Sequence, residues 1–365
     1  MKTTLYNFLF ALLLIPTVAC ANNGYKGKYT KQKTLKKEFR VSANDLLTLD
    51  NSYGNIDVVT WDQNRVEIEV IIKTNGNDEE KVKERLNEID VRFHQSNGEV
   101  SAETVFPDSN NSWWSSLFGS SSNVNMEVHY RVKAPVTNNM NISNDYGSIN
   151  LDELKGDLKM SCDYGKFMIG DLKGSNNYLN FDYTRNSSIN NVKKAKIEAD
   201  YSEFQVEEAG TIDLSADYTD AFFEKVENIS FNNDYGSLNI DKVRNIKGQG
   251  DYLGVKLGLV YSTADLNMDY GSLSIDKLMP ALKRVDIDSD YTSLKIGYDR
   301  EAPFGFEVNT SYGGVKGLEG SDFQVNKRNQ SGGDNYYQGY YRSENSGGRV
   351  KINSSYGSVN FSGKN

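Results

Sequence analysis

The stretch "NDYGSLNIDKV" (233–243) returns as "MDYGSLSIDKL" (268–278), thirty-five residues further on between the two tyrosines. Aligned on its tyrosine, the motif recurs at Tyr146, Tyr164, Tyr183, Tyr201, Tyr218, Tyr235, Tyr252, Tyr270, Tyr291 and Tyr312, at intervals of 17 to 21 residues. Tyr53 in "NSYGNIDVVTW" and Tyr356 in "SSYGSVNFSGK" share it from outside the run. Apolar or small residues precede the tyrosine with period two, as in Leu158, Met160 and Cys162 or Ile212, Leu214 and Ala216. They follow it with period two but shifted parity, as in Leu238 and Ile240 or Leu273 and Ile275. Period two is the mark of a strand with one buried face, and the parity change puts a corner at the Tyr-Gly step. Gly147, Gly165, Gly236 and Gly271 are the natural places for positive φ there, although Thr184, Ser202, Thr219 and Thr292 replace them in other copies.

One such unit cannot bury its apolar face alone, whereas stacked copies can. The expected fold is therefore all-β: a right-handed parallel β-solenoid of about 17–21 residues per coil, with a small α+β cap inserted near the N-terminus. A large antiparallel sheet or sandwich is the alternative, but it gives no reason for one tyrosine corner at a fixed interval.

The organisation read along the chain is as follows. Residues 1–21 form a signal peptide, with Lys2, the apolar run Leu5–Val18 and "ACA" at 19–21 as a cleavage site. Cys20 offers a competing reading as the lipid-bearing first residue of a lipoprotein, with Thr17 where a Leu-like residue is usual. Residues 22–38 are a basic tether, suited to anionic headgroups. Residues 39–61 make a first coil-like segment and 62–135 the α+β cap, whose helix "NDEEKVKERLNEI" starts at Asn77 or Asp78 and shares Val82, Leu86 and Ile89 on one face. Residues 136–316 hold the regular coils, 317–349 a Gly/Tyr-rich loop and 350–365 the last coil.

The net charge of −9 and pI near 5.0 lack the footprint of a nucleic-acid binder. Removal of the leader leaves Cys162 alone, an inward position for a small buried thiol rather than half a disulfide. His94 and His129 are the only histidines and read as ordinary strand residues; no metal-ligand spacing, P-loop or nucleophile elbow is present.

Two features invite function. The acids before the tyrosines (Asp145, Asp163, Asp182, Asp200, Asp217, Asp234, Asp251, Asp269 and Asp290) would form a row about 4.8 Å apart. Equivalent carboxylates define no acid–base pair; they suit Asx-type bonds to the corner N–H groups, with lysines such as Lys242 and Lys277 easing repulsion. Calcium would ease it too, though the glycine-rich nonapeptide of calcium-binding β-rolls is absent, and no cofactor is expected. The tyrosines are expected to point inward or into the corner and stack as a structural ladder, in preference to an outer sugar-binding strip. Aromatics in polar loops, namely Trp113, Trp114 and Phe118 within 108–123 and Tyr336, Tyr337, Tyr340 and Tyr341 within 317–349, are candidate partner-binding residues; the other reading folds them onto the rod.

The tandem "DYGSL.I..L" coils, the preceding "F.V.....L.L.NSYG.I.V..W....V.IE" (Phe39–Glu69) and "Y.V.AP" (Tyr130–Pro135) resemble a bacterial β-strand-repeat family labelled putative adhesins or domains of unknown function. That resemblance implies an exported, non-catalytic solenoid, in a family associated with envelope-stress or sigma-factor regulation, and brings no active-site residues. The expected function is an adhesin-like or scaffolding module of the periplasm, outer membrane or cell surface. Its partner would be an envelope protein or glycan surface, with the membrane met only through a lipid anchor or aromatic loop. The alternatives are a polysaccharide-binding or polysaccharide-cleaving β-helix and a regulatory sensor of envelope state.

Overall fold

The computed structural model describes residues 27–106 and 124–365. The signal-peptide and lipidation readings, with Cys20, lie outside the described residues, as do Trp113, Trp114 and Phe118. The rest is nearly all β, with one helix, in a single hydrogen-bonded network of 24 strands that retains free edges and so does not close into a barrel.

Each strand pairs in parallel with its counterpart in the next copy, and the register follows the repeat. Met160 lies opposite Ile142 on one side and Leu179 on the other; Ile169 lies between Leu151 and Ile189. Every copy contributes one strand before its tyrosine and one after it, so two rows of parallel strands face each other. The alternating apolar residues of both rows meet in one continuous core from Leu47 to Phe361. Phe167, Phe181 and Phe204 interlock edge to face inside it, with centroids 4.7 and 5.2 Å apart. Cys162 is fully buried there as a free thiol, and burial pushes its pKa up to about 12.

Strand β1 (Tyr29–Arg40) falls where a tether was expected. It pairs antiparallel with β4 (Arg65–Gly76) along all twelve residues. It is an edge strand, and its lysines are what blunt such an edge against further pairing. Lys33 is half-buried, its pKa lowered by burial against the pull of Asp90, and Lys31 pairs with Glu79 at 2.7 Å. Strands β2 (Leu46–Ser52) and β3 (Ile56–Trp61) form the first corner and stack directly on the strands around Tyr146. Helix α1 (Glu79–Glu88) is capped by Asp78, which accepts the Glu80 and Lys81 N–H groups. Its Val82 and Leu86, with Ile89 just beyond, are buried. Strands β5 (Asp90–Ser96), β6 (Glu99–Val105) and β7 (Val124–Pro135) extend the two rows past the first corner. Phe39 of β1 and Phe93 of β5 then meet across the end, at 6.4 Å.

The C-terminal end departs from sequence order. Gly348–Ser355 inserts between two earlier strands, parallel to Arg284–Asp290 on one side and to Phe304–Ser311 on the other. The Tyr356 corner thus sits between those of Tyr291 and Tyr312. The segment 317–349, expected as a loop, contains an antiparallel hairpin, Phe323–Ser331 with Asp334–Tyr341, that pairs onto Phe304–Ser311 and covers that end.

Candidate functional site

The twelve corner tyrosines form one column running Tyr53, Tyr146, Tyr164, Tyr183, Tyr201, Tyr218, Tyr235, Tyr252, Tyr270, Tyr291, Tyr356, Tyr312. Neighbouring rings are 4.6–5.2 Å apart and within 10° of parallel. The expected stacking is present, but the inward orientation is not: the rings from Tyr146 onward are 41–65% exposed. The reason lies in the backbone. Every one of these tyrosines has φ between 51° and 64°, the left-handed region. Positive φ was expected at the following glycine, yet among the corner glycines only Gly236, at 122°, has it. The left-handed turn at the tyrosine ends the inward alternation and swings its ring onto the outer corner.

That conformation costs roughly 1–2 kcal/mol for a residue with a Cβ. Each stacking contact contributes about 0.5–1.5 kcal/mol and is shared by two rings, about one contact per tyrosine, so the stack offsets part of the strain. The backbone adds a second restraint. The N–H of Tyr146 donates to the Asp163 carbonyl (2.9 Å), that of Tyr164 to Asp182 (3.0 Å), and the same bond recurs up the column.

The aspartates form a second column beside the rings. They do not make Asx-type bonds to their own corner. In six of the nine, Oδ1 accepts the N–H of the aspartate one coil on: Asp163 from Asp182 (3.2 Å), Asp182 from Asp200 (3.2 Å), Asp200 from Asp217 (3.1 Å), Asp217 from Asp234 (3.3 Å), Asp234 from Asp251 (3.0 Å) and Asp269 from Asp290 (3.1 Å). Serine takes the position at the ends, as Ser52, Ser355 and Ser311. Lys277 does not ease the repulsion, because its ammonium lies by Asp299 and the Asn365 carbonyl. Desolvation, reinforced by neighbouring carboxylates, holds Asp145, Asp182 and Asp251 above the ordinary carboxylate value of 3.8. Among the described residues no group of three His, Cys, Asp or Glu side chains is placed to hold a metal ion, so the structure offers the calcium reading no ligand set there.

A raised carboxylate pKa means the folded state prefers the proton. The associated stability is present below 3.8 and is lost as pH rises through the raised value. Asp182→Asn keeps an oxygen to accept the Asp200 N–H and removes the charge. The variant is expected to be more stable than the parent at neutral pH, with the difference shrinking toward pH 4. Groups such as Glu198, whose pKa is depressed by hydrogen bonds from Lys196 and Tyr178, are common to both proteins and cancel. Urea melts of both across that range check it; a variant weaker at neutral pH would refute it.

The aromatic residues of the C-terminal segment divide. Tyr337 and Tyr341 are buried, and Tyr341 closes a cluster with Tyr298, Phe304 and Phe323 at 4.8–5.4 Å. Tyr336 and Tyr340 alternate with them on the half-buried outer side of the hairpin. Of the histidines, His129 accepts the Asn55 N–H (3.2 Å) and lies 2.9 Å from Glu127 through its other nitrogen, while His94 is exposed on β5.

The ridge can act only in certain ways. Each ring face is covered by its neighbour, Phe106 meets Tyr53 edge-on at one end, and Gly333 lies against Tyr312 at the other. A sugar ring therefore has no free aromatic face on which to stack. What remains is a straight row of ring edges and phenol hydroxyls beside carboxylates, presented on a stiff corner.

No family model matches the chain, and no curated protein does. Among solved structures it is similar to a putative cell adhesion protein from Clostridium sporogenes ATCC 15579, at 10% identity over 92% of this chain and 100% of that one, with a TM-score of 0.21. It is also similar to a putative adhesin from Bacteroides fragilis NCTC 9343 (9% identity, 90% and 97% covered, TM-score 0.30). A third is a putative lipid binding protein from Parabacteroides distasonis ATCC 8503 (10% identity, 90% and 96% covered, TM-score 0.29). Likenesses this loose do not define a shared fold.

Proposed function

We propose that this chain is a right-handed β-solenoid rod of the cell envelope, exported by its N-terminal segment, that acts without catalysis as an adhesin-like or scaffolding surface. The observation that carries the reading is the tyrosine–aspartate ridge. Twelve corners place a tyrosine outward at one spacing along the rod, nine of them with an aspartate beside it, which suits repeated weak contacts with an extended surface. A catalytic reading needs unlike groups with separated pKa values on a few coils, and the ridge repeats one environment. Its hydroxyls and carboxylates suit a partner that presents hydrogen-bond donors at regular spacing, such as an envelope protein lattice or a hydroxyl-rich surface.

The test is a quadruple Tyr→Phe variant at positions 201, 218, 235 and 252, which keeps the stack and removes the phenol oxygens. Retention on immobilised envelope fractions is expected to fall about tenfold or more, since avidity multiplies the loss at each coil, with the melting temperature near that of the parent. Undiminished retention would refute the reading. Turnover of envelope polysaccharides by the parent protein would replace it with a cleaving β-helix.

A further inference from the structure

The ridge leaves unexplained two side chains on the flat face that follows it. Four residues after each corner tyrosine an outward column runs through Asp57, Asn150, Met168, Gln205, Phe222, Asn239, Lys256, Ser274 and Lys295, with Ser188 paired between Met168 and Gln205. All are polar except Met168, 50% exposed, and Phe222, 37% exposed. Outside the tyrosine column these are two of only four exposed large apolar side chains among the described residues, the others being Val59 and Val325. An apolar group held into water on a rigid sheet adds nothing to the core.

Met168 and Phe222 also line one surface trough of about 670 Å³, which runs on past Phe222 to Ser237 and Asn239. Its floor is low for a visible reason. The coil at Tyr183 carries an extra residue, and Asn186 takes φ 54°, so the small Ser188 occupies the place of a longer side chain. Gln205 completes the floor. The rim toward the ridge is Glu203 and Asp220. Asp220 accepts the Ser237 hydroxyl (2.6 Å), which in turn accepts from the Asn239 amide (3.2 Å), so this wall is a pre-ordered polar network.

We propose that the trough between Met168 and Phe222 is a binding site for a short, neutral, linear oligosaccharide. The chemistry is complementary at each point. Phe222, unlike the stacked tyrosines, has a ring not covered by a copy of itself, and an apolar pyranose face can lie against it while Met168 adapts to the far end. The amides of Gln205 and Asn239 and the carboxylates of Glu203 and Asp220 offer the paired donors and acceptors that sugar hydroxyls need. Met168 and Phe222 stand three coils apart, ~14 Å at the strand spacing, so a chain along the rod places about one sugar per coil. No lysine or arginine lines the trough, and its two carboxylates repel acidic glycans, which sets the preference for neutral ones. The site stands on a different face from the ridge and does not depend on the ridge being adhesive.

Calorimetric titration of the full chain with cellopentaose, maltopentaose, chitopentaose and an oligogalacturonate of equal length tests it. At least one neutral oligomer is expected to bind saturably and the galacturonate not to. Phe222→Ser is expected to weaken binding at least about tenfold, equivalent to 1.4 kcal/mol, and Gln205→Trp, which fills the floor, to abolish it. Both positions are exposed, so unchanged melting temperatures are expected to accompany the losses. The quadruple Tyr→Phe ridge variant is expected to bind the sugar normally, which separates a failure here from a failure of the ridge. The proposal is overturned if no neutral oligomer binds, if the galacturonate binds as well, or if both trough variants bind like the parent.

Discussion

Deleting residues 348–365 is expected to unfold the C-terminal end locally while the coils from Leu46 to Tyr298 stay folded. The deleted coil is clamped between two others. Its strand Gly348–Ser355 hydrogen-bonds to Arg284–Asp290 and to Phe304–Ser311, and Val359–Lys364 pairs with Ser293–Asp299. Val350, Ile352, Val359 and Phe361 are all buried. At roughly 1.5–3 kcal/mol per fully buried side chain, the loss exceeds what the neighbouring coil and hairpin can absorb alone. In a stack where each copy touches only its neighbours, damage at one end need not travel. Hydrogen exchange is the measurement. Amides of 304–341 should lose protection, and those of the middle coils should keep it. Retention of protection throughout 304–341 would mean that Phe304–Ser311 had dropped one pitch and re-paired with Arg284–Asp290, and the clamped arrangement would not be what holds the end together.

The same insertion marks the limit of what the amino-acid order discloses. The tyrosine period, the alternation on either side of it and the acid before it are local, and they specify the parallel register and the core directly. Which coil stacks on which is not local. "SSYGSVNF" and "TSYGGVK" present nearly the same edge, and either could follow the Tyr291 corner. A hint is present in the serines: Ser355 and Ser311 replace the aspartate, which groups those two coils at one end without ordering them. Sequence parity points the tyrosines inward, but the left-handed φ at each tyrosine resets that parity, and only glycine invites such a suspicion in a sequence. Tyr29–Arg40 does not announce itself as a strand, because lysines that protect an edge read equally well as a solvated tether. Met168 and Phe222 were legible in principle, as apolar residues in a column that other copies fill with Asn, Gln, Ser or Lys. In one sequence such an exception looks like noise until a concavity is found between them.

Gly165→Ala is expected to be strongly destabilising although a single methyl is added, and Gly314→Ala is expected to be nearly neutral. A Cβ at residue 165 would lie 1.9 Å from the Gly147 carbonyl oxygen and 3.3 Å from the Cys162 sulfur. The obstacle is backbone, which cannot rotate away as a side chain can. The same approach repeats one coil down, where a Cβ at Gly147 would meet the Gly54 carbonyl at 1.7 Å. The coils therefore close on each other at the corner through bare backbone, and the glycine there serves close approach rather than positive φ. Thr184, Ser202 and Thr219 solve the same contact differently. Their buried side chains enter the ladder themselves: Thr184 N–H donates to the Ser202 hydroxyl (3.0 Å) and Ser202 N–H to that of Thr219 (3.2 Å). Alanine supplies the bulk of that solution without its oxygen. Overpacking of this kind costs about 1–3 kcal/mol when neighbours can shift, and here a shift would also part the Tyr146–Tyr164–Tyr183 stack at 5.2 and 4.7 Å. At Gly314 a Cβ meets nothing within 4 Å. Urea melts of the two variants give the comparison, and equal stabilities would show that the coils are not held at backbone contact at the corner.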